Sequence, residues 1–112
     1  MDITNWNEPT RIDELDGGER RILACTDEMM LVHYTLEAGA EGPPHSHDET
    51  TQASFVVEGS LELRGEYSRT VEAGGSYVVP PGTEHGVRAL EPCRVVDAFA
   101  PPIETYRPDT LD

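Results

Sequence analysis

The chain contains no lysine: its eight cationic side chains are all arginines, set against 22 aspartates and glutamates. The formal net charge of −14 excludes whole classes of partner. A surface of that sign repels nucleic-acid phosphates and anionic lipid, so neither a nucleic-acid nor a membrane partner is expected. It also repels itself, and salt screens that repulsion. The composition is the one expected of a halophilic protein in a salt-rich cytoplasm. The carboxylates are spread along the chain and not gathered in one tail, which predicts a solvated surface and no docking patch.

Cysteine is scarce as well. Cys25 and Cys93 are the only two, far apart in sequence. That excludes a disulfide framework and predicts two buried, inert thiols in a reducing compartment. No stretch approaches the roughly 20 apolar residues of a membrane span. The opening MDITNWNEPT lacks a basic n-region and an apolar h-region, so no secretory leader is expected and the predicted location is the cytoplasm. The 112 residues are enough for one domain with its own core.

What the chain does have is regular punctuation. Short apolar or alternating runs are separated by Gly, Pro, Glu and Asp: Ile22–Cys25, Met29–Leu36, Thr51–Val57, Ser60–Arg64, Arg69–Glu72, Ser76–Val79, His85–Leu90 and Arg94–Phe99. In the longest run Met30, Val32, Tyr34 and Leu36 alternate on one face, which places His33 on the other, toward solvent or an interface. Many short strands with frequent turns and no long helical period predict an all-β sandwich or barrel. Residues 1–20 are polar, with Pro9 and Gly17-Gly18, and are read as an N-terminal arm or loop with room for one short strand, anchored by Trp6. Residues 21–100 form the barrel, and 101–112 a proline-rich tail that cannot join a central strand.

Three of the four histidines fall in two clusters. His45 and His47 are two residues apart and on a strand would project to one face. Gln52 follows beyond an acidic turn, at the start of the next strand. His85 comes after Pro80-Pro81-Gly82-Thr83-Glu84, a tight turn that sets it at a strand start. Neutral imidazole is the commonest metal-ligand side chain, so one divalent transition metal (Zn, Ni, Mn, Fe or Co) is the expected cofactor. In Arg94–Phe99 a single carboxylate, Asp97, lies among apolar residues and shares a face with Val95 and Phe99. If that face lines the barrel, burial raises the carboxyl pKa and a nearby metal lowers it. Such a group is a candidate general acid or base.

These segments resemble the paired signatures of the cupin family. Gly39, His45, His47 and Gly59 fall on the first, with Gln52 where Glu is usual. Gly74, Pro80, Gly82 and His85 fall on the second, with Ala89 where Asn is usual. The resemblance covers about residues 21–102. It implies a single-domain cupin, a double-stranded β-helix or jelly-roll barrel, with a metal on His45, His47, Gln52 and His85. It also implies a homodimer. A neutral Gln ligand leaves two positive charges on a divalent site. That makes a stronger Lewis acid and a poorer support for high oxidation states.

The ligand set, with Asp97-Ala98-Phe99-Ala100-Pro101-Pro102 near the end, is most similar to the pectin-degradation cupins of the KdgF type. That resemblance implies linearisation and ketonisation of unsaturated hexuronates, with Asp97 and Phe99 in the reaction pocket. On the enzyme reading, Phe99 and Tyr34 or Tyr77 are expected to wall it. The family usually carries Arg directly after Pro-Pro, where it meets the sugar carboxylate. Here Ile103 stands at that position and Arg107 follows four residues on. The expected function is a metal-dependent isomerase-like enzyme on a small oxygenated substrate. The alternatives are a metal-dependent dioxygenase and a binding cupin without turnover.

Overall fold

Alternation of apolar and polar residues dictates the architecture. In Thr51–Glu58 (β5) Gln52, Ser54 and Val56 are buried while their neighbours face outward, and in Cys93–Ala100 (β10) Cys93, Val95, Asp97 and Phe99 are buried in the same way. A period of two with one buried face makes strands, and each needs neighbours to cover that face. The computed structural model, which describes residues 1–108, supplies them. The other strands are Arg11–Leu15 (β1), Gly18–Cys25 (β2), Met30–Leu36 (β3), Glu41–His45 (β4), Ser60–Gly65 (β6), Arg69–Glu72 (β7), Ser76–Val79 (β8) and His85–Ala89 (β9).

The strands form two antiparallel sheets, a six-stranded one in the order β1-β2-β3-β10-β5-β8 and a four-stranded one in the order β4-β9-β6-β7. This is a jelly-roll barrel, the fold that the resemblance to cupins implies. Val56, Leu61, Ala89, Cys93 and Val95 fill one part of the core, and Ile22, Met30, Val32 and Phe99 another. Each large apolar side chain so buried contributes about 1.5–3 kcal/mol. Among the described residues no helix is long and apolar enough to cross a membrane.

The register across the six-stranded sheet sets the inner wall in rows. Met30, Phe99, Gln52 and Val79 form one row, Val32, Asp97, Ser54 and Tyr77 the next, and Arg20, Tyr34, Val95 and Val56 the third. Polar side chains on an inward face mark where the barrel stops being a core and becomes a cavity.

The structure differs from expectation at several places. The sheet begins at Arg11, so β1 and the start of β2 take up residues assigned to the arm. Their charged side chains pair, with Asp13 bonded by Arg11 and Arg20, and this hides the strand pattern in the sequence. β4 was not foreseen because it holds Pro43 and Pro44. It lies at the end of its sheet, where missing backbone donors are tolerated. His33 does face away from the core, yet it is only 3% exposed. The Trp6 ring stands edge-on to it with centroids 4.7 Å apart, and the Arg21 guanidinium lies 4.1 Å from the centre of the Trp6 ring.

No disulfide joins the two cysteines. Cys93 is buried and Cys25 half-buried, so the expectation of buried thiols holds only for the first. The tail turns back over the barrel. Thr50 Oγ1 donates to the Pro101 carbonyl at 2.9 Å, and Glu104–Tyr106 make one 3-10 turn. Residues 109–112 of the predicted tail lie outside the described residues.

Candidate metal and substrate site

Four elements converge at one end of the barrel. β4 delivers His45, the turn after it His47, the start of β9 His85, and β5 Gln52. His45 and His85 stand opposite each other where β4 pairs with β9. Close approach of the proline-bearing β4 depends on Gly86, where a Cβ would come within 2.7 Å of the Gly42 carbonyl oxygen and 2.8 Å of Pro44 N. Gly82, at φ +81°, makes the turn ahead of His85, and its N–H donates to the His47 carbonyl at 2.7 Å.

The side-chain nitrogens of His45, His47 and His85 offer ligand atoms that all lie within 4.8 Å of one another. Nδ1 of His45 lies 3.0 Å from the Pro43 carbonyl oxygen, and Nδ1 of His85 lies 3.0 Å from that of Thr83. A carbonyl oxygen only accepts, so each Nδ1 carries the proton. Burial pushes the pKa of His85 down, and the charge of His45 adds to this against the pull of the Thr83 hydrogen bond. Burial, then His45 and His85, do the same to His47. A ring whose Nδ1–H is engaged by a backbone carbonyl is left with Nε2 as its ligand atom, the usual preparation for a metal. His47 Nε2 is buried without a hydrogen-bond partner.

The Gln52 amide supports the same reading. Its Nε2 donates to Ser54 Oγ at 3.0 Å and lies 3.4 Å from Asp97 Oδ2, so its Oε1 must face the other way. It faces His85 Nε2 at 3.1 Å. Two lone-pair atoms at that distance repel unless a cation sits between them. Atoms each about 2 Å from one ion take up such a spacing. The residues present therefore fit a metal ion.

The histidines open onto a cavity of about 430 Å³, lined also by Gln52, Tyr34, Tyr77, Asp97, Phe99, Arg20 and Tyr106. Asp97 is 6% exposed, and its Oδ1 has no hydrogen-bond partner. Burial pushes its carboxyl up to about 7, against the pull of a hydrogen bond with Ser54. Burial raises the phenols of Tyr34 and Tyr77 too, so both stay protonated. Phe99 packs edge-on to His47 with ring centroids 6.0 Å apart.

The model of the Cupin domain family matches residues 32–99. The pectin degradation protein KdgF of Dickeya dadantii (strain 3937) is 36% identical over 103 residues, which cover 89% of this chain and 88% of that protein. This chain is a KdgF-like cupin. The solved structure of KdgF from Halomonas sp. superposes on it with a TM-score of 0.84 at 32% identity, covering 99% of both chains. An RmlC-like cupin from Shewanella frigidimarina NCIMB 400 superposes with a TM-score of 0.86 at 29% identity, covering 94% of this chain and 95% of that one.

In this KdgF-like cupin the six residues singled out from sequence, His45, His47, Gln52, His85, Asp97 and Phe99, all line the one cavity. Ile103 and Arg107 do not. Ile103 packs beside Ile22, Met30, Val32 and Phe99, and Arg107 donates to Asp27 at 2.8 Å. Sequence reasoning missed Arg20 and Tyr106. Arg20 had a signal, since it alternates with the buried Ile22 on β2. Tyr106 had none, because it reaches the cavity only through the fold of the tail.

Proposed function

We propose that this KdgF-like cupin is a metal-dependent enzyme that opens and ketonises unsaturated hexuronates, with the ion on His45, His47, Gln52 and His85. The observation that carries the reading is the Asp97 carboxyl, buried in a polar cavity beside three converging imidazoles with one oxygen unpartnered. The name of the Dickeya relative, a pectin degradation protein, supports the substrate class.

The reaction is an isomerisation. The ring hemiacetal loses its hydroxyl proton, the bond between that carbon and the ring oxygen breaks, and the aldehyde forms. The ring oxygen is left as an enol, which becomes a ketone when the adjacent alkene carbon takes a proton. One proton leaves and one returns, so no redox partner is needed. Asp97 is the group to move it. With its carboxyl at about 7 it exchanges a proton near neutrality, and a bound cation draws that value down. The bound metal supplies Lewis-acid polarisation of a substrate oxygen. Gln52, held by Ser54 and Asp97, keeps its carbonyl oxygen turned toward the histidines. Phe99 walls the cavity against His47 and Tyr106, excluding water from the reacting edge.

The test is NMR of unsaturated uronates from pectin and alginate lyase digests, incubated with the metal-loaded protein in D₂O. Expected is an open-chain keto product carrying one solvent deuteron at the former alkene carbon. An unchanged cyclic substrate across the whole panel would remove the assignment.

A further inference from the structure

Arg20 carries the only guanidinium among the described residues lining the cavity. It stands directly opposite Tyr34 across the pairing of β2 with β3, and its guanidinium carbon lies 3.9 Å from the centre of the Tyr106 ring. Nε and one terminal nitrogen both reach Asp13 Oδ2, each at 2.9 Å. Such a two-point clamp, with an aromatic ring against the guanidinium, holds the group in one orientation.

Asp13 is shared. Arg11 Nε donates to the same carboxylate at 2.8 Å, so two guanidiniums compete for its one negative charge. Arg11 also donates to the carbonyls of Thr105 and Arg107 in the tail, which directs it away from the cavity. The positive charge facing the cavity is therefore that of Arg20. Tyr34 extends it. Its phenol stands opposite Arg20 across the β2–β3 pairing, lines the same cavity and stays protonated, so it has an O–H to offer a ligand.

The rest of the wall is hostile to an anion. Asp16, Glu41 and Asp97 all line the cavity, in a chain of net charge −14. An acidic ligand is admitted there only against a fixed cation. Tyr106 packs against Arg20 and Phe99, and Phe99 against His47, so one aromatic wall of the cavity of about 430 Å³ runs from the guanidinium to the imidazoles.

We propose that Arg20, with Tyr34 beside it, binds the substrate carboxylate and makes this cavity select a sugar acid over the neutral sugar. This rests on the uronate reading above, but binding can be measured without turnover.

D-Galacturonate and D-galactose are the probes, titrated by calorimetry into metal-loaded wild type, Arg20→Gln, Arg20→Lys and Tyr34→Phe. Wild type is expected to prefer the acid. Arg20→Gln loses about 10- to 100-fold in affinity for galacturonate, with galactose affinity and metal content unchanged. Arg20→Lys regains part of the loss, and Tyr34→Phe loses a few-fold. If unsaturated uronate is turned over, Arg20→Gln raises KM far more than it lowers kcat. Retention of the acid preference in Arg20→Gln and Tyr34→Phe overturns the assignment, as does a wild type with no preference. Absence of turnover by wild type would sink the reaction and leave the binding comparison standing.

Discussion

His85 Nε2 and Gln52 Oε1 face each other at 3.1 Å, one from the four-stranded sheet and one from the six-stranded sheet. Neither atom has a proton for the other once Thr83 holds the His85 Nδ1–H and Ser54 holds the Gln52 amide. A cation held by both atoms would resolve that opposition and tie the two sheets together beside the cavity.

One divalent ion per chain is the first expected outcome. His47→Ala and His85→Ala lose it, and Gln52→Ala weakens it by about 10- to 100-fold, the size of effect seen when a supporting ligand is removed. Elemental analysis after dialysis reads all three, and unchanged metal in both histidine variants would remove the site.

Asp97→Asn keeps shape and polarity while removing the exchangeable carboxyl proton. Proton transfer by a positioned group contributes about 10²- to 10⁴-fold, so turnover falls at least about 100-fold with metal and fold retained. Steady-state rates on an unsaturated uronate decide this, and full activity would make Asp97 a structural residue.

His33 predicts a pH effect away from the metal. It is 3% exposed with neither ring nitrogen hydrogen-bonded, and burial, helped by the charge of Arg94, pushes its pKa below the ordinary 6.5. The unfolded chain therefore takes up this proton first as pH falls. Stability from His33 is full above about 6.5 and is lost below it. Denaturation of metal-free protein at pH 7.5 and pH 5 should show a smaller loss in His33→Phe than in wild type. Parallel losses would contradict the assignment.

Even with every arginine paired, fourteen carboxylates remain without a cation. The melting midpoint should therefore rise from dilute buffer to molar KCl, as the screening length shrinks from about 10 Å at 0.1 M to about 3 Å at 1 M. A flat or falling midpoint in a KCl series would reject the salt-adapted reading.

Much of this was legible in the chain because the signals were local. Arg69–Glu72 and Ser76–Val79 are strands with the very limits their turns imply. The paired histidine segments meet at the same cavity because β4 pairs with β9 at His45 and His85, while His47 lies in the turn after β4 and not on the strand. Non-local facts were not legible. Prolines disguised β4, whose edge position made them harmless. Charge disguised β1, where Asp13 with Arg11 and Arg20 looks like solvent-facing sequence. His33 lies on the outward face as its register requires, but no period in the sequence shows that Trp6 covers it. Arg20 was set aside with the arm although its alternation with Ile22 marked its face, and the pairing of β2 with β3 sets it on the cavity wall.

The central claim is a metal-dependent conversion of an unsaturated uronate, and one measurement meets it directly. The ultraviolet absorbance of the conjugated substrate is followed with one protein preparation, before chelation, after metal removal and after restoration of one equivalent. The account predicts loss of absorbance with the native metal, a rate at least about 100-fold lower without it, and recovery on reloading. An equal rate in the metal-free protein, or no loss of absorbance with metal bound, would contradict it.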